Sequence, residues 1–171
     1  MQNQKIIIGI GGNIKSNDGS HPVIVAKKAI NLLKNYSIEI TEQSSWYETE
    51  PIPKSDQPNF FNCIVFAHTT LNELDVLNSL HLIEHEFGRI RKKVNESRVI
   101  DLDLIDYSNK ILTNDEITIP HPRAHKRRFV MEPLAELNPN WVHPILRTNV
   151  FQILKNISNQ KIKIINQEKL N

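Results

Sequence analysis

The run RVIDLDLIDYS, residues 98–108, places two carboxylates two positions apart in an otherwise apolar stretch. Side chains alternate between the faces of a strand. Ile100, Leu102 and Leu104 therefore form one apolar row, and Asp101 and Asp103 share the opposite face. Like charges held that close repel and raise a carboxylate pKa, so a packed sheet gains nothing from them. A divalent cation resolves the conflict: Mg²⁺ takes hard carboxylate oxygens and keeps waters that substrate phosphates can replace. A bare D-x-D is more often the wet face of an edge strand, and its neighbours decide between the two readings.

Five cations precede the pair within ten residues: Arg89, Arg91, Lys92, Lys93 and Arg98. Alone, such a run reads as a solvated loop. Beside two carboxylates it joins cations for phosphate to a platform for a metal, and phosphoryl-type transfer needs mainly positioning and charge neutralisation. No GxxxxGK[ST] occurs, which excludes a P-loop, and Gly9–Asn13 (GIGGN) reads as a strand end and tight turn. A third cluster, IPHPRAHKRRF at 119–129, holds His121 between two prolines that fix its backbone. His125 reads as solvated, and His21, His68, His81, His85 and His143 as surface or hydrogen-bonded core groups. With one cysteine and no HExxH, a zinc site is a poor fit.

The positioning elements follow from periodicity. Lys5–Ile10, Ser37–Tyr47, Phe60–His68, the aspartate strand and Lys161–Ile165 read as strands, with a short extended piece at Ile117–Ile119. Pro22 opens a helix to about Lys34. Thr70 and Glu73 suggest a capping box for a helix running to Gly88, with Leu74, Leu77, Ile83 and Phe87 on its apolar stripe. Arg127–Leu137 reads as helical with a break at Pro133, and Asn149–Ile157 as a last helix. Residues 50–59, with three prolines, and 89–97 read as loops, and Ser108-Asn109-Lys110 as a hairpin turn. This mixed order favours an α+β sandwich over a doubly wound sheet.

At 171 residues, 39% hydrophobic and 23% charged, the chain suits one globular domain spanning 1–171. A net charge of +2 gives no support to a nucleic-acid or membrane role. Cys63, alone and inside an apolar run, reads as a buried structural thiol and fits a reducing compartment. The N-terminal apolar stretch is too short for a signal peptide or membrane span, so a cytoplasmic protein is expected.

The ordered segments SSWYETEPI (44–52), DQPNFFN (56–62), IEHEFGRIR (83–91), SRVIDLDLI (97–105) and IPHPRAHKRRFVMEPLAEL (119–137) resemble the 6-hydroxymethyl-7,8-dihydropterin pyrophosphokinases of folate biosynthesis. The likeness runs from the first strand to about Pro144. It implies a ferredoxin-like α+β fold and transfer of pyrophosphate from ATP to the pterin hydroxymethyl group, releasing AMP. It also implies two Mg²⁺ ions on Asp101 and Asp103, with Arg89 and Arg98 acting on the phosphates. Glu84, Arg91, Leu104, Thr118, His121 and Arg127 match positions of the ATP site. Thr49, Pro51, Ile52, Phe60, Asn62 and Phe129 match the pterin site, where two aromatic rings sandwich the pterin and the amide meets its edge. A monomer is implied, with ATP and the pterin as its only partners.

Departures from the family pattern are Asn95-Glu96-Ser97 for a frequent Trp-Gly-Pro, His81 for a glutamine, Gly12 for a serine and Pro53 for a glycine. They bear on loop closure and affinity. Two rival classes use the same residues differently: a Mg²⁺-dependent phosphohydrolase, and a catalytically silent nucleotide- or RNA-binding ferredoxin-like module.

Overall fold

A computed structural model describes residues 2–89, 96–157 and 159–165. A six-stranded antiparallel sheet runs in the order β5-β1-β4-β3-β8, with β2 also pairing β4. Its strands are β1 (Gln4–Gly12), β2 (Ile38–Gln43), β3 (Tyr47–Thr49), β4 (Phe60–Thr69), β5 (Asp101–Tyr107) and β8 (Ile162–Ile164). Strands β6 (Leu112–Thr113) and β7 (Thr118–Ile119) form a separate two-stranded ribbon. Ile6, Ile8, Ile10, Cys63, Val65, Leu102 and Leu104 point to one face and pack against α1 (Pro22–Leu33) and α2 (Glu73–Glu86). Ile7, Ile64 and Ile105 point to the other and pack on α3 (Arg128–Leu137) and α4 (Val150–Asn156). This is the expected ferredoxin-like α+β arrangement. The second pair of helices covers only part of its face, and the uncovered end is where the carboxylates lie.

Several local expectations change. Gly11 and Gly12 lie inside β1 rather than in a turn. The single strand expected over 37–47 is two, β2 and β3, which pair with opposite ends of β4. Asn72, not Thr70, caps α2: its Oδ1 accepts the Asp75 amide at 2.9 Å. Glu73 and Asp75 then sit in the positively polarised first turn. Pro133 does not break α3. It is buried within the helix, whose packed face outweighs the missing hydrogen bond. Ser108 and Asn109 do turn the chain, both with positive φ, but β6 leaves that turn to pair with β7 instead of β5. Pro22 opens α1 as expected, with the His21 ring accepting the Val23 amide, and Asn149 caps α4. Among the described residues no helix is long and apolar enough to cross a membrane.

Candidate active site

The register of three strands lays out the site. Gly11 on β1 pairs with Asp101 on one side and Asn62 on the other, while Gly9 pairs with Asp103 and Ile64. Strands lie ~4.8 Å apart, so the carboxylate row and the amide face each other across roughly 10 Å of sheet. Glycine keeps that floor bare. A Cβ on Gly11 would stand 2.6 Å from Asn62 Oδ1, and one on Gly9 would stand 3.2 Å from Ile105 Cδ1. Gly12, on the other side of the strand, is pressed by the Val99 carbonyl, with which a Cβ would collide. The departure from serine at this position therefore coincides with a close backbone approach.

The free site is an ion-pair cluster. Arg89 Nη1 donates to Glu84 Oε1 at 2.5 Å, to the Ile100 carbonyl at 3.1 Å, and to Asp101. Arg98 Nε lies 2.9 Å from Asp101 Oδ2, and Arg127 Nη1 lies 3.7 Å from Asp103 Oδ2. Glu84 is buried and its Oε1 also accepts the Leu102 amide at 2.7 Å. One helix side chain thus fixes both the arginine and the strand segment between the two aspartates. Burial, then the Asp101 charge, raises the Asp103 pKa, with Arg127 opposing. His121 donates its amide to Ile105 O at 2.9 Å and accepts the Arg123 amide on Nδ1 at 3.2 Å. That contact assigns the ring proton to Nε2. Burial, then Arg127 and Arg123, push its pKa down to about 4, so at neutral pH it is an uncharged donor.

The carboxylate pair fits Mg²⁺. It offers hard oxygens on one face, and its own repulsion, felt at Asp103, is what a cation relieves. Among the described residues no group of three or more His, Cys, Asp or Glu forms a closed cage. A bound ion would complete its shell with water and substrate.

Across the glycine floor lies a slot for a flat ring. Asn62 is buried, and its Nδ2 donates to Thr49 Oγ1 at 3.0 Å, leaving Oδ1 over Gly11. Phe60 opens β4, and Phe129 stands on the first turn of α3. The Arg98 guanidinium lies 5.2 Å from the Phe60 centroid and that of Arg127 5.5 Å from Phe129, so the phosphate-side cations already touch the aromatic walls. Pro51 is buried at the rim and Ile52 is exposed there. The cleft holds about 840 Å³ including its open mouth, and its lining takes in Thr49, Pro51, Ile52, Phe60, Asn62, Arg98, Asp101, Asp103, Arg127 and Phe129.

The remaining expected residues stand apart from that lining. Glu84 and Arg89 act from beneath Asp101. His121 sits beside the cluster on the turn after β7. Leu104 points into the opposite core and is 4% exposed, because it shares the parity of Ile100 and Leu102. Thr118 lies half-buried on β7, outside the cleft lining. Arg91 and Asn95 lie outside the described residues. Cys63 is the buried, structural thiol expected, its pKa pushed well up by burial. Sequence reasoning missed the glycine floor. The floor had a signal, since Gly9 and Gly11 alternate with Ile8 and Ile10 at strand spacing.

An α+β sandwich with a paired-aspartate strand, two guanidiniums and an aromatic slot in one cleft, and a third guanidinium behind Asp101, defines a phosphoryl-group transferase with a planar acceptor. Residues 7–139 match the family "7,8-dihydro-6-hydroxymethylpterin-pyrophosphokinase (HPPK)", and the chain belongs to it. It is 34% identical over 159 residues to the 2-amino-4-hydroxy-6-hydroxymethyldihydropteridine pyrophosphokinase of Haemophilus influenzae, covering 93% of this chain and 96% of that one. It is 31% identical over 163 residues to the folic acid synthesis protein fol1 of Pneumocystis carinii. That match covers 95% of this chain but 21% of the much longer relative. The crystal structure of wild-type Plasmodium falciparum HPPK-DHPS with pteroate shares the fold. It aligns with a TM-score of 0.71 and 14% identity over 91% of this chain and 44% of that one.

Proposed function

We propose that this protein transfers the pyrophosphoryl group of ATP to the hydroxymethyl oxygen of 6-hydroxymethyl-7,8-dihydropterin, releasing AMP, in folate synthesis. One observation carries the reading: the carboxylate–arginine cluster and the Asn62 slot face each other across a bare floor in a single cleft. The hydroxymethyl oxygen attacks the β-phosphorus, the bond from that phosphorus to the α,β-bridging oxygen breaks, and the hydroxyl proton leaves to solvent. Two Mg²⁺ ions held by Asp101 and Asp103 would neutralise the phosphates and the leaving oxygen. The site's own charge supports a need for them, because Arg89, Arg98 and Arg127 are already matched by Glu84, Asp101 and Asp103. A triphosphate would otherwise arrive uncompensated.

The chain's residues do the rest. Arg98 and Arg127 present donors at the cleft wall for phosphate oxygens, and Glu84 holds Arg89 against Asp101 behind that wall. His121 Nε2–H donates to a phosphate without adding charge. Asn62 Oδ1 accepts the ring's amino edge, and Phe60 and Phe129 hold its faces. The two rival classes lose ground to family membership and to the slot, since a hydrolase or a silent module needs no matched pterin pocket.

The test is AMP release from Mg·ATP with and without 6-hydroxymethyl-7,8-dihydropterin. Strict dependence on the pterin is expected. Release without it would make the protein a hydrolase, and neither release nor binding of either ligand would make it a silent module.

A further inference from the structure

Strand β3 is only three residues long, and no continuous ladder carries the chain into it. Upstream, β2 ends at Gln43 and Ser44 supplies the next contacts with β4. Its Oγ accepts the Ile64 amide at 3.0 Å, and its own amide donates to the Ile64 carbonyl at 2.9 Å. The contacts after that come from α3. Glu136 Oε1 accepts the Ser45 amide at 2.8 Å and the Ser45 hydroxyl at 2.9 Å, while Oε2 accepts the Tyr47 hydroxyl at 2.8 Å. Tyr47 is 4% exposed, and burial, then Glu136, raises its pKa, so the phenol keeps the proton it donates. In the sheet register Tyr47 stands directly opposite Asn62, and Thr49, opposite Phe60, accepts from the Asn62 amide. Phe129 and Glu136 lie two turns apart on α3, so they share one face of that helix, about 10 Å from each other along its axis.

We infer that Glu136 is a positioning residue that sets the pterin slot: by gripping Ser45 and Tyr47 it holds the strand beside Asn62 at a fixed distance from the Phe129 wall on the same helix. The inference rests on the pyrophosphokinase reading. Glu136, Ser45 and Tyr47 line none of the cleft, so any effect on a ligand passes through β3 and the Thr49–Asn62 bond. Hydrogen bonds to a carboxylate are strong and directional, whereas an apolar contact would let so short a strand slide. The helix keeps its own place through Val130, Met131 and Leu134, all buried against the sheet. Loss of the Glu136 contacts therefore moves β3 rather than α3, and Arg127 at the start of that helix stays beside Asp103.

The test titrates 6-hydroxymethylpterin and Mg²⁺·α,β-methylene-ATP separately into each variant and records Tm beside them. Glu136→Ala should weaken the pterin about fivefold or more, the scale of one lost hydrogen bond to a charged group, and change the nucleotide by less than about twofold. Glu136→Gln, which keeps one oxygen for Ser45, should recover part of the loss. Ile38→Val, in the core on the other face of the sheet, supplies the comparison for instability alone and should leave pterin affinity as it is. Unchanged pterin affinity in Glu136→Ala, equal weakening of both ligands, or a pterin loss that Ile38→Val reproduces would each overturn the inference while leaving the reaction standing. Should Glu136→Ala not fold, Tyr47→Phe decides, because it deletes one hydroxyl only: a loss confined to the pterin supports the inference, and no loss overturns it. Failure of wild type to bind the pterin at all overturns the underlying reading instead.

Discussion

Replacing Gly11 by alanine probes the site's floor with one methyl group. The new Cβ would stand 2.6 Å from Asn62 Oδ1, and its next neighbour, Asn62 Cγ, is at 3.7 Å. The obstruction is therefore the tip of a side chain rather than backbone, and the sheet accepts the change if the Asn62 amide retreats by most of an ångström. The retreat breaks the bond from Asn62 Nδ2 to Thr49 Oγ1 in a buried setting. That loss costs about 1–3 kcal/mol, offset by roughly 0.5–1 kcal/mol from removing a strand glycine. A net loss near ~1–2 kcal/mol lowers Tm by about 2–8 °C in a domain of this size. Pterin affinity falls further, because Oδ1 is displaced from the ring edge it should meet. A mismatched buried acceptor is worth ~1–3 kcal/mol, or about 5- to 150-fold in Kd. The triphosphate side, two strands from the displaced Asn62, should bind ATP as before. Titrations of 6-hydroxymethylpterin and of α,β-methylene-ATP, each alone, separate the two effects. Gly9→Ala, whose Cβ meets Ile105 at 3.2 and 3.4 Å and Ile64 at 3.7 Å without touching Asn62, is the comparison and should lower pterin affinity less than Gly11→Ala. Equal weakening of both ligands in Gly11→Ala, or no loss of pterin affinity, would refute the assignment of the bare strip as the pterin floor.

Asp101→Ala and Asp103→Ala should each abolish pterin-dependent AMP release while leaving the circular dichroism spectrum unchanged; retention of more than about a tenth of the rate, under ~1.4 kcal/mol of barrier, would exclude these residues as the metal platform. Asp103 also sets a pH dependence. Its folded pKa lies above the unfolded one, so the native state holds the extra proton, and stability in EDTA should fall as pH rises from the ordinary carboxylate range through the raised value. Asp103→Asn should flatten that segment of a Tm-against-pH curve, and an unchanged slope would show that Asp103 is not the group responsible. Arg98→Ala frees Asp101 Oδ2 from its partner at 2.9 Å; calorimetry should find nucleotide-free Mg²⁺ binding tighter, while turnover drops at least tenfold.

Much of the site was legible because strand parity is a strict rule. Asp101 and Asp103 share a face with Ile105 by alternation alone, and Phe60 and Asn62 share one for the same reason. The same rule sends the Leu104 side chain into the α1/α2 core with Leu102, so its match to a nucleotide-site position rests on the family resemblance alone. Composition located the loop at 50–59, while most of the one expected at 89–97 lies outside the described residues. The turn expected at Gly11-Gly12 failed because glycine serves two purposes that look alike in a sequence. In a turn it supplies positive φ; here it supplies the absence of a Cβ, where Asn62 and Val99 come too close for one. Only the neighbouring strands decide which purpose applies, and their register is a non-local property.

Glu84 shows the other kind of information that a linear reading lacks. Its match to an ATP-site position was visible in IEHEFGRIR, yet its carboxylate lines none of the cleft. It stands in the last turn of α2 and reaches across to Arg89 at 2.5 Å and to the Leu102 amide at 2.7 Å. A buried carboxylate so placed is costly unless paired, and here the pairing is what orients the Arg89 guanidinium. Glu84→Gln separates the two contributions, because glutamine keeps an acceptor for the Leu102 amide and loses the charge opposite Arg89. Truncating a buried charge partner typically costs ~3–5 kcal/mol when the other charge stays buried, but Arg89 retains Asp101, so the stability loss should be smaller, about 1–2 kcal/mol. The rate should suffer more than either substrate's affinity, because Arg89 would turn wholly to Asp101 and away from the phosphates. Single-turnover kinetics beside equilibrium titration reads both quantities. A variant with weakened ATP binding and an unchanged chemical step would show that Glu84 contacts the nucleotide directly.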